Sequence, residues 1–339
     1  MVADNAAPAA HDPQSLKVGR KLSPIAAVVY LDQCAISRFV PPVNAGWSPV
    51  FNVLSLGLAR QRMLCPHSLE HLMESAAMPP EKAATTDELL RRLSGGWSFR
   101  VEPQLIAAQI ASFVREVPLG LSDIMVQHPF KPLSDPGVRD FLAGSKADLD
   151  SFNESKFRFT NQINAVIRDG PRGTWSVFIR MMGEIARGYA AAMKREVTAA
   201  LAQGAVTVAG RSDAPNVPMW TSSVLYLLFS LHRFTRSELV LLEACLDRPV
   251  GLLFVPFFQI KATLEAYQSW KRQKLEAADQ YDVTRVACAL PFVDVLVTDG
   301  GMASALRDTH MDRFFRTEVF STKQRDRPAL LKWLQNAVS

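Results

Sequence analysis

Long hydrophobic runs are missing from this 339-residue chain. Its two most apolar windows, VLYLLFSL at 224–231 and PVGLLFVPFFQI at 249–260, fall well short of the roughly 20 residues a spanning helix needs, and prolines break the second. The opening MVADNAAPAAHDPQSLKVGRKLSP holds no apolar stretch of the signal-peptide kind, so a membrane is not an expected partner. Its Ala, Pro and polar content predicts a flexible leader over residues 1–23. Cysteine is scarce too. Cys34, Cys65, Cys245 and Cys288 are widely spaced, form no CxxC pair, and each lies in or beside an apolar run. They offer no zinc-ligand spacing and read as reduced, buried thiols of a cytoplasmic protein. Charge of one sign is also lacking: 38 Lys and Arg against 33 Asp and Glu leave a net charge of only +5. Such mild basicity tolerates a polyanionic partner without establishing one.

What is present is a change of rhythm along the chain. IAAVVYL (25–31) is a short, β-branched apolar run of the kind buried on both faces of a parallel sheet, and it ends at Asp32. WSPVFNVLSLGLARQ reads as a helix, RMLCP (62–66) as a second short strand, and Ser68 as the N-cap of a helix carrying Leu69, Leu72 and Met73. From about 79 to 279 the pattern is helix after helix, among them EPQLIAAQIASFVREV, FTNQINAVIRD, WSVFIRMMGEIARGYAAAMKREVTAALAQ and FQIKATLEAYQSWKRQKLEAAD. Alternation then resumes. Asp282 opens a helix (VTRVACAL), DVLVT is a strand, MASALRD a helix, TEVFS (317–321) a strand, and PALLKWLQNAV the last helix. Strands alternating with helices at both ends predict an α/β fold with a parallel sheet built from 24–78 and 280–339, interrupted by a mostly helical insertion over 79–279.

In an open parallel sheet, ligands bind at the carboxyl ends of the strands. Asp32 ends the first strand and Asp299 directly follows VLVT, so both fall on that edge if the strands are parallel. Asp282, ahead of DVLVT, can approach it, and the helix after RMLCP carries Glu70 and Glu74 on one face. Clustered carboxylates raise one another's pKa unless a cation neutralises them, and hard oxygen ligands favour Mg²⁺ or Mn²⁺. Each acid also has a local use: Asp32 starting a turn, Glu70 or Glu74 solvated on a helix, Asp282 a cap, Asp299 shaping the Asp-Gly-Gly turn. Asp294, at the far end of a strand about 17 Å long at ~3.3 Å per residue, belongs to a turn or cap. His67 and His71 flank Glu70 and read as surface or core-rim residues rather than phosphate contacts.

Taken in order, VVYLD, CPHSLEHLME and YDVTRVACALPFVDVLVTD resemble a PIN-like nuclease domain over less than half of the chain. The resemblance implies an α/β/α sandwich whose acidic quartet binds Mg²⁺ or Mn²⁺ and cleaves RNA. Matched position by position, the quartet is Asp32, Glu74, Asp282 and Asp299. The family commonly has one residue between Thr and the last acid, whereas Asp299 follows Thr298 directly.

The implied activity is an endoribonuclease-like hydrolysis of RNA, single-stranded or looped, leaving a 5′-phosphate and a 3′-hydroxyl. Residues 151–240 hold eleven Lys and Arg against six acids, with aromatics interleaved in SKFRF and HRF, as suits single-stranded nucleic acid. Two other readings stand beside it. An aspartyl-phosphate phosphohydrolase also ends its first strand with Asp, but needs a second Asp two positions on, where this chain has Cys34. A catalytically inactive PIN-like scaffold would bind RNA or protein through the insertion, and a homo-oligomer or a regulatory protein partner stays open. If Asp32 and Asp282 share a metal, Asp32→Asn is expected to abolish cleavage and to leave the metal-free fold intact or more stable, since it thins a repelling cluster.

Overall fold

The computed structural model describes residues 26–40, 43–76, 78–127, 174–203, 219–271 and 277–339. The expected leader, the helix FTNQINAVIRD and the basic residues Lys156, Arg158, Arg168, Arg172 and Arg211 lie outside them.

The chain is a mixed α/β protein, mostly helical, around a four-stranded parallel sheet of order β2-β1-β5-β6. Strand β1 (Ala27–Leu31) is followed by the short helix α1 (Gln33–Ile36), α2 (Ser48–Ala59) and β2 (Met63–Leu64). Then come α3 (Leu69–Ala76), α4 (Pro80–Ser94), β3 (Trp97–Phe99), α5 (Glu102–Arg115), α6 (Leu121–Ile124) and β4 (Met125–Gln127). Helices α7 (Trp175–Gln203), α8 (Met219–Ser230), α9 (Arg236–Leu246), α10 (Pro256–Lys271) and α11 (Ala277–Ala289) lead to β5 (Val295–Thr298). Helices α12 (Gly300–Asp308) and α13 (Met311–Phe315), strand β6 (Glu318–Ser321) and helix α14 (Arg327–Val338) complete the chain.

Strand β1 pairs in parallel with β5, from the other end of the sequence, with Leu31 beside Val297. The two ends therefore build one sheet, as strand–helix alternation predicts. Asp294 helps set the register, because its Oδ2 accepts from Val28 N at 3.0 Å. Its expected structural place just before β5 is where it lies.

Period-two alternation divides the sheet between two cores. On one face Val28, Tyr30, Leu296 and Val319 pack with Ile106 and Ile110 of α5, Phe257 and Leu264 of α10, and Val283 and Val286 of α11. On the other, Val29, Leu31, Val295, Val297 and Phe320 meet Ile36, Leu54 of α2, Leu89 and Leu93 of α4, and Leu330 and Leu334 of α14. The first core runs without a break into α7, α8 and α9 through Met193, Leu228 and Leu242.

Two details depart from the sequence reading. Strands β3 and β4 form an antiparallel pair inside the helical segment, and Ser98 of β3 bridges to His67. Three-residue strands are too short to show an alternation. Helix α11 starts at Ala277, so Asp282 does not open it; Asp279 is the acid of its first turn. The preceding AADQ stretch continues the helix backwards and carries Asp282 into the second turn.

Leu296 is fully buried in the middle of β5. Leu296→Ala is expected to cost about 2–5 kcal/mol in urea unfolding. Val240→Ala, at a half-exposed position on α9, should change stability by no more than about 0.5 kcal/mol. Equal losses would contradict the assignment of β5 to the core of the sheet.

Candidate functional site: carboxylates around a buried arginine

The parallel pairing of β1 and β5 puts the residues that follow them side by side. Asp32 N donates to Val297 O at 2.9 Å, and Thr298 Oγ1 donates to Asp32 Oδ2, also at 2.9 Å. Asp32 is the N-cap of α1, and its Oδ1 accepts from Gln33 N at 2.7 Å. The turn-starting use foreseen for Asp32 is real, and it occupies only part of the carboxylate.

The remainder meets a residue that no reading of the sequence singled out. Arg285, on α11, donates from Nη1 to Asp32 Oδ1 at 2.8 Å. The same nitrogen lies 3.4 Å from Asp282 Oδ1, and Nη2 donates to Glu74 Oε1. One guanidinium thus gathers carboxylates from the end of β1, from α3 and from α11. Asp32 and Asp282, 250 positions apart in sequence, lie within the sum of those two distances of each other. Glu74 rather than Glu70 is the helical acid that joins. The signal in the sequence was a single Arg in the apolar run VTRVACAL, three positions after Asp282 and so on the same helix face.

Asp299 stands at the same edge but bonds differently. It is the N-cap of α12, where Oδ1 accepts from Gly301 N at 2.6 Å and Met302 N at 3.1 Å. It makes no bond to the other three acids. Its charge still reaches them, because it helps raise the pKa of Asp282.

The helix carrying Glu74 is fixed to β1 by a buried polar chain. His71 Nε2 donates to Leu31 O at 2.9 Å, since a carbonyl can only accept. Its Nδ1 therefore accepts, from Ser68 N at 3.0 Å. Ser68 Oγ in turn bonds Tyr30 Oη at 3.0 Å. Burial first, and then Arg285, lower the His71 pKa to about 3, so the ring is neutral. His67 and His71 are both buried, not at a surface or core rim as the sequence reading has them.

Electrostatically the cluster is short of positive charge. Burial pushes the Asp282 carboxyl up to about 7; Asp32, Asp299 and Glu74 add to the shift and Arg285 opposes it. Glu74 is raised as well, first by burial. Burial works against the Arg285 charge, but Asp32, Tyr30, Glu74 and Asp282 more than offset it. The Cys34 Sγ lies 3.9 Å from Asp32 Oδ2, and burial followed by the nearby acids holds it as a thiol.

With Arg285 between the acids, no three His, Cys, Asp or Glu among the described residues close around a single point. The donor chemistry nonetheless fits a hard divalent cation. Four carboxylates face one guanidinium, and the unneutralised surplus shows in the raised Asp282 and Glu74. Glu74 Oε2, Asp282 Oδ2 and Asp299 Oδ2 have no protein partner, and Asp282 and Glu74 are partly open to solvent.

Comparison with protein-family models, curated proteins and solved structures gives no match. The PIN-like resemblance therefore rests on the residues themselves. Among the described residues no helix is long and apolar enough to cross a membrane.

The Asp282 shift fixes a pH dependence. In the folded protein this carboxyl keeps its proton up to a pH of about 7, whereas an unfolded aspartate releases it near about 4. Between those values the folded state binds more protons, so stability falls as pH rises. Asp282→Asn should remove that loss. Measured by thermal melting in EDTA, the variant's Tm relative to the natural protein should improve from about pH 5 to about pH 8. A constant difference across that range would contradict the shift.

Proposed function

We propose that the chain is a PIN-like, metal-dependent phosphodiester hydrolase acting on RNA. The observation that carries this reading is the convergence of Asp32, Glu74 and Asp282 from three separate elements on one buried guanidinium, with Asp299 beside them at the carboxyl ends of β1 and β5. Such a gathering costs free energy through repulsion and desolvation, and a cap or a solvated helix face has no need of it.

Asp32, Glu74, Asp282 and Asp299 would hold Mg²⁺ or Mn²⁺. Bound there, such an ion lowers the pKa of a coordinated water and stabilises charge on a phosphoryl oxygen. The protein's share is positioning. Thr298 and Gln33 N fix the Asp32 carboxylate, His71 holds the Glu74 helix against β1, and Asp299 is anchored by two backbone N–H groups. Cys34, kept as a thiol, is not a nucleophile in this scheme.

Support for RNA comes from the basic, aromatic-bearing composition of 151–240. Within it Arg180, Arg187, Arg195, Arg233 and Arg236 are exposed. A single strand offers phosphates to such side chains and base faces to aromatics.

The test is cleavage of single-stranded RNA with Mn²⁺ or Mg²⁺ and with EDTA. The natural protein should leave 5′-phosphate ends, and Asp32→Asn should lose more than about 100-fold in rate, beyond the loss typical of outer-shell changes at a metal site. The stability expectation for this variant is now reversed. Asp32 is the closest unstrained partner of a buried cation, so its neutralisation should lower the Tm in EDTA rather than raise it. RNA binding without metal-dependent cleavage by the natural protein would favour the inactive-scaffold reading instead.

A further inference from the structure

The guanidinium of Arg285 stands among the carboxylates as a cation built into the chain. We propose that Arg285 serves as the site's second cation, so that the cluster takes one divalent ion where four carboxylates alone would call for two. The inference rests on the metal-dependent reading above and adds its stoichiometry.

Four observations carry it. The first is reach: Nη1 serves Asp32 and Asp282, and Nη2 serves Glu74, so one head group bridges three acids as a bridging ion does. The second is depth. The Arg285 side chain is 3% exposed, while those of Asp282 and Glu74 are 29% and 37% exposed. The guanidinium lies on the protein side of the acids, where it neither leaves with solvent nor reaches a substrate. The third is its bonding. Arg285 Nε is buried with no hydrogen-bond partner, so the carboxylates alone hold the head group.

The fourth is the count of remaining oxygens. Asp32 Oδ1 is filled by Gln33 N and Arg285, Glu74 Oε1 and Asp282 Oδ1 face Arg285, and Asp299 Oδ1 takes two backbone N–H groups. Each acid is left with a single oxygen, and that of Asp32 also accepts from Thr298. Four single oxygens, completed by water, suit one octahedral Mg²⁺ or Mn²⁺ and leave a second ion too few ligands. A second divalent ion would also be repelled by the fixed guanidinium, at close range and out of bulk water.

The test is a count of bound Mn²⁺ per full-length chain, from calorimetry and from the loss of the free-ion paramagnetic resonance signal. The natural protein should bind one ion. Arg285→Lys, which keeps the charge, should also bind one, and Arg285→Gln should bind two. Two ions in the natural protein would overturn the inference and leave the metal-dependent reading intact. No ion in the natural protein would overturn that reading and this inference with it. One ion in both the natural protein and Arg285→Gln would make Arg285 structural only. Melting curves give a second readout: Mn²⁺ should raise the Tm of Arg285→Gln by more than it raises that of the natural protein, and an equal rise would overturn the inference. If Arg285→Gln does not fold, the counts for the natural protein and Arg285→Lys decide alone.

Discussion

A buried guanidinium held by three carboxylates is the interaction on which the rest of this structure depends. Taking charges out of water costs several kcal/mol per ion, and only close pairing repays it. Arg285 meets that condition with Asp32, Glu74 and Asp282. The constraint is long-range in sequence: it ties α11, where the helical segment rejoins the sheet, to β1 and to α3, where the chain leaves it. Both junctions of the insertion are locked at one point.

The helical segment supports the same point from behind. Helix α10 carries the buried pair Lys261–Glu265 at 3.2 Å, and Tyr189 of α7 donates its hydroxyl to both Glu265 oxygens. Lys261 Nζ also reaches Thr284 Oγ1 at 3.4 Å. Thr284 is the residue before Arg285, so a second buried ionic network positions the turn of α11 that presents the guanidinium. The continuous apolar core along α5, α10 and α11 makes the helical part the wall of the site rather than an appended body.

Much of this was legible in the sequence, for definite reasons. AVVYL and VLVT are apolar runs buried on both faces, and such runs mark parallel strands without alignment to anything else. An acid at the end of each then follows from their shared direction. Strands β3 and β4 were not legible, because WSF and MVQ pair only through His67 and each other. The start of α11 was misplaced because Asp282 resembles a cap when only its downstream neighbours are considered. Arg285 was missed because its meaning is tertiary: an arginine in an apolar helix becomes a counter-ion only when β1 and α3 bring their acids to it. His71 was read as peripheral for a similar reason, since its partner Leu31 O is 40 positions away.

The most direct test of the account is anomalous diffraction from crystals soaked in Mn²⁺. A single peak is predicted at the carboxyl ends of β1 and β5, within about 2.0–2.2 Å of carboxylate oxygens from Asp32, Glu74, Asp282 and Asp299, with Arg285 still paired on the protein side. Crystals of protein that binds Mn²⁺ elsewhere, with no peak among these four acids, would contradict it.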